Sequence, residues 1–553
     1  ITMSFYGHAG DGQLHIRPYL DLSNPAEVDK MRAIANDVFS LAWSLGGSIS
    51  GEHADGLVRA AFLRQQYGDE FYQLLCQIKN IFDPSGLMNP GKIINDDMDI
   101  MVKNLKAQHK ASLENIPEKT GLFFEKDELR FEFERCNGCG LCRSKEPNLR
   151  MCPVFRALNE ELASSRAKAN ILRFWASGDL EEKDFESLEF RKFLDLCINC
   201  KACLLECPSG VDISKLISTA RAEYARRKKL NLAELLLSRN RYFSKLCSIF
   251  GPASNLFVKS TAFKWLLDKF IGIDRRRNLP NFQQGSFLKA ARRVLASCKR
   301  IESPIDRVAY FVDTYANYND HELGFAVINV LRANDIEVIL PHQLPAPLPA
   351  IYYGNIKAAR RDLSFNVKHL AEVVREGYKI VCSEPSAALC LKQELRHLLA
   401  GEDARLVSEN TYELMTYLLG LLEQNKLRPT ARTISQQFAH YTPCHLLAIG
   451  AKDASIKLLE KLCGTKVIEL EAGCCGLAGT FGMQKKNYEL SSKISESLKK
   501  ALETSPAKTI LTECSACKMQ IEHISDCVVK HPIEILAEGY GYKRKSSRYN
   551  CAC

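Results

Sequence analysis

The arrangement of its cysteines most constrains how this chain can fold. Thirteen of its 22 cysteines fall into three sets with spacings typical of iron–sulfur ligands. In chain order the sets are Cys136, Cys139, Cys142 and Cys152; Cys197, Cys200, Cys203 and Cys207; and Cys444, Cys474, Cys475, Cys514 and Cys517. Thiolates at such spacings hold clusters that move single electrons. We therefore expect loops folded around clusters, and an electron-transfer component.

The first two sets predict two [4Fe-4S] clusters that share ligands. In two-cluster ferredoxins, three cysteines of one run bind one cluster together with the last cysteine of the other run. One cluster is then expected to take Cys136, Cys139, Cys142 and Cys207, and the other Cys152, Cys197, Cys200 and Cys203. Nine residues separate Cys142 from Cys152, which lengthens a loop without removing a ligand. A zinc site is the alternative, but zinc sites rarely combine two such runs, each followed by Cys-Pro.

Length and composition indicate a multidomain protein of the α/β and α+β classes. A chain of 553 residues is too long for one core, and no apolar run reaches 18 residues. Cysteines that cluster as metal sites fit a reducing cytosol better than a disulfide scaffold. We predict six consecutive parts. They are a substrate and metal portion at 1–95, a linker at 96–130, a helical 2[4Fe-4S] ferredoxin-like domain at 131–230, a basic amphipathic helical segment at 231–300, and two α/β halves at 301–430 and 431–553.

Positive charge is concentrated in residues 226–300. This strip holds 18 Lys or Arg and 3 Asp or Glu, a net charge of +15, interleaved with aromatic residues. Nucleic acid, an anionic membrane surface and an acidic partner are the candidate contacts. A pair of core helices with a solvated basic face is the alternative. No helicase or glycosylase motif accompanies the strip, so we expect no nucleic-acid binding.

The N-terminal region contains a candidate metal site. His8 and His15 flank the Gly-rich turn Ala9–Gly12, and a second tight loop supplies Glu52 and His53. Two His and one Glu are a common open catalytic set for a divalent metal such as zinc. A satisfied polar cluster is the alternative interpretation.

Hydrophobic patterns predict the local structure. We expect two short strands in 1–22, helices at 25–45, 69–81 and 321–333, and strands at 308–312, 337–340, 379–382 and 509–512. Similar runs recur in the two C-terminal halves, which suggests an internal repeat.

The third cysteine set lies in a recognisable family pattern. Ala472–Gly476 resembles the CCG domain of heterodisulfide reductase and of the iron–sulfur subunits of glycolate oxidase and anaerobic glycerol-3-phosphate dehydrogenase. This resemblance implies a third iron–sulfur cluster at residues 444–517, with a zinc site or free thiols as the alternative. The half at 301–430 resembles a CCG domain that has lost its cysteines. Ile351–Gly354 replaces Cys-Cys-Gly, Cys390 is taken as the survivor of the last pair, and no metal is expected there.

Residues 1–95 resemble the C-terminal part of FAD-linked oxidases of the vanillyl-alcohol oxidase superfamily, in the D-lactate, glycolate and D-2-hydroxyglutarate dehydrogenase branch. The resemblance implies that His8, His15 and Glu52 bind a divalent metal, that His53 is the catalytic base, and that Asn89 lies near the flavin. It also implies a flavin-binding domain upstream, so we expect this chain to be part of a longer protein that holds most of the FAD.

Two functional hypotheses follow. The first is a dehydrogenase that oxidises a small D-2-hydroxy acid and passes electrons through the clusters to a quinone or another carrier. Such a protein is expected to be cytoplasmic, with peripheral contact at the inner face of the membrane. The second is a heterodisulfide-reductase-like electron-transfer module that serves a separate flavoprotein. The histidine cluster separates them, because a pure relay does not need it.

Overall fold

The computed structural model describes residues 1–106, 122, 126–146 and 149–542, which fall into two units, Ile1–Ala111 and Ser112–Cys553. Each unit has its own apolar core. The predicted multidomain mixture of helices and parallel sheets is confirmed. Most of the predicted linker at 96–130 lies outside the described residues.

A hairpin and a long helix organise the first unit. The turn between the two strands ends at Gly12, whose φ of +62° suits glycine. Asn24 begins the long helix, because its side chain accepts a hydrogen bond from the amide of Ala26 and Pro25 follows at the first helical position. Phe39 of that helix packs edge-on against Phe62 in the core. The elements are β1 Met3–His8, β2 Gln13–Pro18, α1 Pro25–Ser44, α2 Leu63–Tyr67, α3 Asp69–Phe82 and α4 Ile100–Lys103. The predicted hairpin and the helices at 25–45 and 69–81 are confirmed.

The second unit begins with short helices that frame the first two cysteine sets. These helices pack on an aromatic core in which Trp175 stacks on Phe185 with ring centroids 5.1 Å apart. They are α5 Lys126–Glu134, α6 Pro153–Leu158, α7 Ser165–Ser177, α8 Glu182–Phe185, α9 Leu188–Asp195, α10 Ala202–Glu206 and α11 Ile213–Lys228.

The basic strip is helical, and several of its large apolar side chains are exposed. The helices are α12 Leu232–Ser238, α13 Asn240–Phe250, α14 Pro252–Lys259, α15 Thr261–Leu266, a π-helical turn Leu267–Ile271 and α16 Phe287–Ser297. Eight of these exposed apolar residues, which we call the outer apolar face, are Leu246, Ile249, Phe250, Leu256, Phe257, Trp265, Leu266 and Phe270. Among the described residues, no helix combines the length and apolar character needed to cross a membrane.

Two four-stranded parallel sheets with the same strand order form the rest of the second unit. The first contains β3 Asp306–Phe311, β4 Ile336–Ile339, β5 Lys379–Cys382 and β6 Thr411–Glu413, in the order β4-β3-β5-β6. The second contains β7 Phe438–His440, β8 Val467–Glu469, β9 Thr509–Leu511 and β10 Val528–Lys530, in the order β8-β7-β9-β10. The predicted internal repeat and the strands predicted at 308–312, 337–340, 379–382 and 509–512 are therefore confirmed. One apolar cluster contains buried residues of both halves, such as Val308 and Leu511.

Helices cover both sheets, as expected for parallel strands joined by crossovers. In the first half they are α17 Thr314–Tyr318, α18 His321–Ala333, α19 Leu348–Tyr352, α20 Ile356–Arg375, α21 Pro385–Leu389, a π-helical turn Cys390–Glu394, α22 Leu395–Leu398, α23 Glu402–Glu409 and α24 Leu414–Glu423. In the second half they are α25 Cys444–Ala448, α26 Ala454–Cys463, α27 Tyr488–Thr504, α28 Ser515–Ile524 and α29 Pro532–Gly539.

Candidate metal and iron–sulfur sites

The hairpin of the first unit places two imidazoles on one face. Tyr6 pairs with His15 and His8 pairs with Gln13 across the two strands. Since residues two apart on a strand share a face, His8 and His15 are diagonal neighbours on the same side. Their ring centroids lie 5.5 Å apart.

Glu52 completes this cluster from a separate loop. Its carboxylate oxygens lie 3.4 Å from His8 Nε2 and 3.0 Å from His15 Nε2. One ligand atom from each of the three residues lies within 4.8 Å of the others, as a set that shares one ion requires. Arg59 donates hydrogen bonds to the carbonyls of Ile49 and Ala54, which holds the Glu52 loop in place. The donor set and its spacing fit a divalent cation.

His53 joins the same cluster, whereas Asn89 does not touch it within the described part of the chain. His53 Nε2 lies 2.9 Å from the Glu52 oxygen that faces His15. Asn89 lies in a loop held by Asp83, which accepts hydrogen bonds from the amides of Leu87 and Met88. Asn89 is exposed, its φ is +45°, and its side chain accepts a hydrogen bond from Lys92.

The first two cysteine sets line two separate cavities, divided as the spacing rule predicts. One cavity contains Cys136, Cys139, Cys142 and Cys207 in its lining, and the other contains Cys152, Cys197, Cys200 and Cys203. Each has a volume of about 20 Å³. Cys203 also borders the first cavity, so the two sets are adjacent. The amide of Arg166 points at Cys142 Sγ from 3.3 Å, the kind of N–H···S contact that tunes a cluster.

Sequence reasoning missed a buried lysine in the loop that carries the second cysteine set. Lys201, between two of the cysteines, is almost fully buried, and its ammonium contacts Asp212 at 2.9 Å and Glu394 at 2.6 Å. Burial opposes its charge, but the two carboxylates raise the pKa of Lys201 above its ordinary value. Since Glu394 belongs to the first α/β half, this ion pair joins the cluster loop to that half. No local pattern could have identified it, because the partners are distant in sequence.

The third set converges at the carboxyl ends of β7, β8 and β9. The sulfurs of Cys444 and Cys474 lie 3.7 Å apart, and those of Cys475 and Cys517 lie 3.4 Å apart. All five cysteines, including Cys514, line one cavity of about 280 Å³. Hydrogen bonds from Cys474 and Cys517 lower the pKa of Cys475 well below that of a free thiol. Hydrogen bonds with Cys444 and Cys475 raise the pKa of Cys474, and hydrogen bonds with Cys475 and Cys514 raise that of Cys517. It is therefore the convergence of the five sulfurs on one cavity that fits an iron–sulfur cluster.

A shared apolar core joins the second and third cysteine sets. Cys200 of the second set and Cys444 and Cys474 of the third set belong to or pack against one cluster of buried residues, as does Cys152 of the first set. His445, next to Cys444, places Nε2 at 2.9 Å from the carbonyl oxygen of Asn199. The second and third sets therefore lie against the same apolar core.

The first α/β half keeps the shape of the CCG loop without its cysteines. Gly354 and Gly476 have φ values of +76° and +82°, and a Cβ at either would lie within 2.4 Å of a backbone oxygen. Tyr352 and Tyr353 therefore stand where the second half has its cysteine pair.

The assignment of Cys390 as the survivor of the last pair is wrong. Directly after β5 the sequence Ser383–Ala388 reads SEPSAA, and directly after β9 Thr512–Cys517 reads TECSAC. Pro385 and Ala388 thus take the places of Cys514 and Cys517. Cys390 instead lies fully buried in the apolar core of the first half, where burial raises the pKa of its thiol.

Comparisons with known proteins match three separate parts of the chain to three families. Residues 1–93 match the family "FAD linked oxidases, C-terminal domain", residues 132–211 match "4Fe-4S dicluster domain", and residues 438–522 match "Cysteine-rich domain". A stretch covering 60% of the chain is 30% identical to a subunit of anaerobic glycerol-3-phosphate dehydrogenase of Escherichia coli (strain K12), over 83% of that protein. The chain belongs to the family of this dehydrogenase subunit. The resemblances predicted from the motifs are thereby confirmed.

Other relatives extend the likeness to the first unit. D-2-hydroxyglutarate dehydrogenase of Escherichia coli (strain K12) is 24% identical over 97% of this chain, and the match covers 56% of that protein. D-lactate dehydrogenase of Archaeoglobus fulgidus is 40% identical over 17% of this chain and 20% of its own length. The chain thus spans about half the length of the curated D-2-hydroxyglutarate dehydrogenases that it matches.

Proposed function

We propose that this chain carries the substrate site and the iron–sulfur relay of an FAD-linked dehydrogenase. The substrate is a small D-2-hydroxy acid of the D-lactate, glycolate or D-2-hydroxyglutarate type. The observation that carries this proposal is the convergence of His8, His15, Glu52 and His53 in the unit that matches FAD linked oxidases.

His8, His15 and Glu52 would hold a divalent cation such as zinc. A bound cation of this kind lowers the pKa of a coordinated hydroxyl group. His53 Nε2 lies 2.9 Å from a Glu52 carboxylate oxygen and donates its hydrogen there, so His53 would accept the hydroxyl proton at Nδ1. Glu52 therefore has two roles, as a metal ligand and as the group that positions the base.

FAD, when bound, accepts the hydride and releases the electrons one at a time. The loop with Asn89 is proposed to lie near the flavin. The two ferredoxin-type sets and the set at 444–517 are proposed as the ligands of two [4Fe-4S] clusters and a third iron–sulfur cluster. The acceptor is a quinone or another carrier.

The outer apolar face supports peripheral contact with a membrane. Its helices combine exposed Phe, Leu and Trp side chains with a dense positive charge. Amphipathic helices of this composition bind the surface of anionic bilayers. We expect the protein to bind vesicles that contain phosphatidylglycerol, and to bind phosphatidylcholine vesicles much less.

Single-site variants of the protein expressed from its natural reading frame test the substrate site. His53→Ala should keep the metal and lose about 10²-fold or more of the rate at which the preferred 2-hydroxy acid reduces the clusters, the contribution of a general base. His15→Ala should lose the metal, as measured by elemental analysis. His369→Ala, in the second unit, is the control. An unchanged rate in His53→Ala would refute the base role.

A relay without its own substrate site is the second candidate. The 30% identity to the glycerol-3-phosphate dehydrogenase subunit, over a match that covers 60% of this chain, favours it. Clusters that dithionite reduces, but that D-lactate, glycolate and D-2-hydroxyglutarate all leave oxidised, would support this alternative and refute the dehydrogenase.

A further inference from the structure

One arginine of the basic strip is buried rather than solvated. Arg277 lies between the π-helical turn Leu267–Ile271 and α16, and it is only 3% exposed. Its neighbour Arg276 is exposed and pairs with two carboxylates, those of Asp274 and Glu489, each at 2.8 Å. A guanidinium keeps its charge at any physiological pH. The fold therefore holds a permanent positive charge in its interior at Arg277.

The loop that carries Arg277 is fixed against the second α/β half. The amide of Asp274 donates a hydrogen bond to the carbonyl of Met483 at 2.9 Å. The amide of Lys485 donates one to the carbonyl of Gly272, also at 2.9 Å. These backbone contacts bring the side chain of Arg277 into that half, although the residue belongs to the basic strip.

The guanidinium of Arg277 donates hydrogen bonds to three segments of the second half. The acceptors are the carbonyl of Gly482 at 2.8 Å, the hydroxyl of Ser491 at 2.7 Å and the side-chain oxygen of Gln520 at 2.6 Å. Ser491 and Gln520 are themselves fully or almost fully buried. One side chain thus connects three segments that are separate in sequence.

Two of these contacts lead to segments that carry cysteines of the third set. Ser491 donates a hydrogen bond to the carbonyl of Gly476, the residue directly after the cysteine pair, at 2.8 Å. Gln520 and Cys517 both belong to α28 and are three residues apart, so they share a face of that helix. Arg277 therefore joins the CCG loop to the helix that carries Cys517.

The three acceptors are neutral, and Arg277 forms no ion pair with a carboxylate among the residues that the structure describes. The nearest acid in sequence, Asp274, gives both of its oxygens to Arg276. Burial lowers the pKa of Arg277, and the acidic groups of Tyr488, Asp274 and Cys475 act in the opposite direction. A buried charge without a counter-ion is strongly unfavourable. The position of Arg277 therefore favours a negative charge at the third cysteine set.

We propose that Arg277 is the counter-charge and the positioning residue of the iron–sulfur cluster at the third cysteine set. Its guanidinium would offset the negative charge that the thiolates bring to this site. Its hydrogen bonds would hold the CCG loop and α28 in place around the cluster. Because reduction adds one more negative charge, a fixed positive charge close to the site raises the reduction potential. This inference rests on the third cluster of the proposed function.

Two substitutions separate the charge of Arg277 from its hydrogen bonds. Arg277→Gln removes the charge and keeps hydrogen-bonding groups, whereas Arg277→Lys keeps the charge with fewer donors. Redox titration of the cluster-loaded protein, followed by electron paramagnetic resonance, measures all of the clusters in one sample. Arg277→Gln should make reduction of the third cluster about tenfold less favourable, a fall of about 59 mV for one electron. Arg277→Lys should recover most of this loss.

Arg276→Gln is the matched control, because it removes an exposed positive charge from the adjacent position. It should leave every potential unchanged, and the two ferredoxin-type clusters should keep their potentials in all three variants. The proposal is overturned if Arg277→Gln leaves the third potential unchanged, if Arg277→Lys falls as far as Arg277→Gln, or if all three clusters are shifted or lost together.

Iron content replaces the potential as the readout if Arg277→Gln loads only the two ferredoxin-type clusters. Arg277→Lys should then retain the third cluster, and its loss from both variants overturns the role of the charge. The wild type tests the third cluster itself. Iron for only two clusters in the wild type refutes that cluster, whereas full iron content with a potential that does not respond to Arg277 refutes this inference alone.

Discussion

The two α/β halves have the same strand order and differ most at the carboxyl ends of their strands. The second half places five cysteines there, and the first half places Asp313, Tyr315, Tyr352 and Glu384. Both keep a left-handed glycine against a neighbouring backbone oxygen, Gly354 in one and Gly476 in the other. The backbone shape of this loop therefore depends on the glycine. Whether the loop supplies metal ligands or lines a cavity depends on the side chains around the glycine.

Substitution of the two glycines should have the largest effect on the two halves. Gly354→Ala and Gly476→Ala each force a Cβ into a backbone oxygen at an unfavourable φ, so each should lower the free energy of unfolding by about 3 kcal/mol or more. Thermal unfolding should show similar losses for both. Only Gly476→Ala should also lose iron, as measured by iron content per chain. Loss of iron from both variants would show that the first half also helps to hold the iron.

Removal of one cysteine from each half tests the difference between the halves at a single site. Cys475→Ser should remove the iron of the third cluster and leave the two ferredoxin-type signals in electron paramagnetic resonance, because the Cys475 sulfur contacts those of Cys474 and Cys517 in its set. Cys390→Ala, in the first half, should keep all the iron. Equal iron content in the two variants contradicts the assignment of the third site.

The helices that follow the fourth strands should respond oppositely to pH. Glu413 begins α24 and His531 begins α29, and both are buried. Burial, with the charge of Glu513, raises the pKa of Glu413 to about 7. Burial lowers the pKa of His531 to about 4. His531 is held neutral because Nδ1 accepts the amide of Ile533.

Stability linked to Glu413 is therefore present below about pH 4.5 and is lost as the pH rises to 7. Stability linked to His531 is present above pH 6.5 and is lost as the pH falls to 4. Each shift corresponds to about 3 kcal/mol. Hydrogen exchange of the two helices, corrected for intrinsic rates, should show these opposite slopes. Glu413→Gln and His531→Gln should each flatten only its own slope, and parallel slopes in the wild type contradict the expectation.

The smallest effect is expected at the tyrosine that replaces a cysteine. Tyr353 shares hydrogen bonds with Thr480 at 2.9 Å and Gln484 at 3.1 Å, both next to the CCG loop. Tyr353→Phe should lower the free energy of unfolding by about 1–2 kcal/mol. Iron content should not change. A loss of iron would give this side chain a part in the metal site.

Sequence reasoning reached the features that local pattern controls. The hairpin, three strands of the first half, one strand of the second half and the division of the ferredoxin-type cysteines between two cavities all follow from local pattern. It did not reach Lys201, because its ion pairs join segments that are far apart in the chain. The error at Cys390 has the same origin, since only the position of β5 shows which residue matches Cys514.

The cysteines of the three sets differ in how far solvent can reach them. Cys139 is exposed, whereas all of the third set except Cys444 is buried. An oxidant from solution therefore reaches the site with Cys139 first and the CCG site last. Damage by air will therefore begin at the site that contains Cys139, and the buried sites will stay intact for longer.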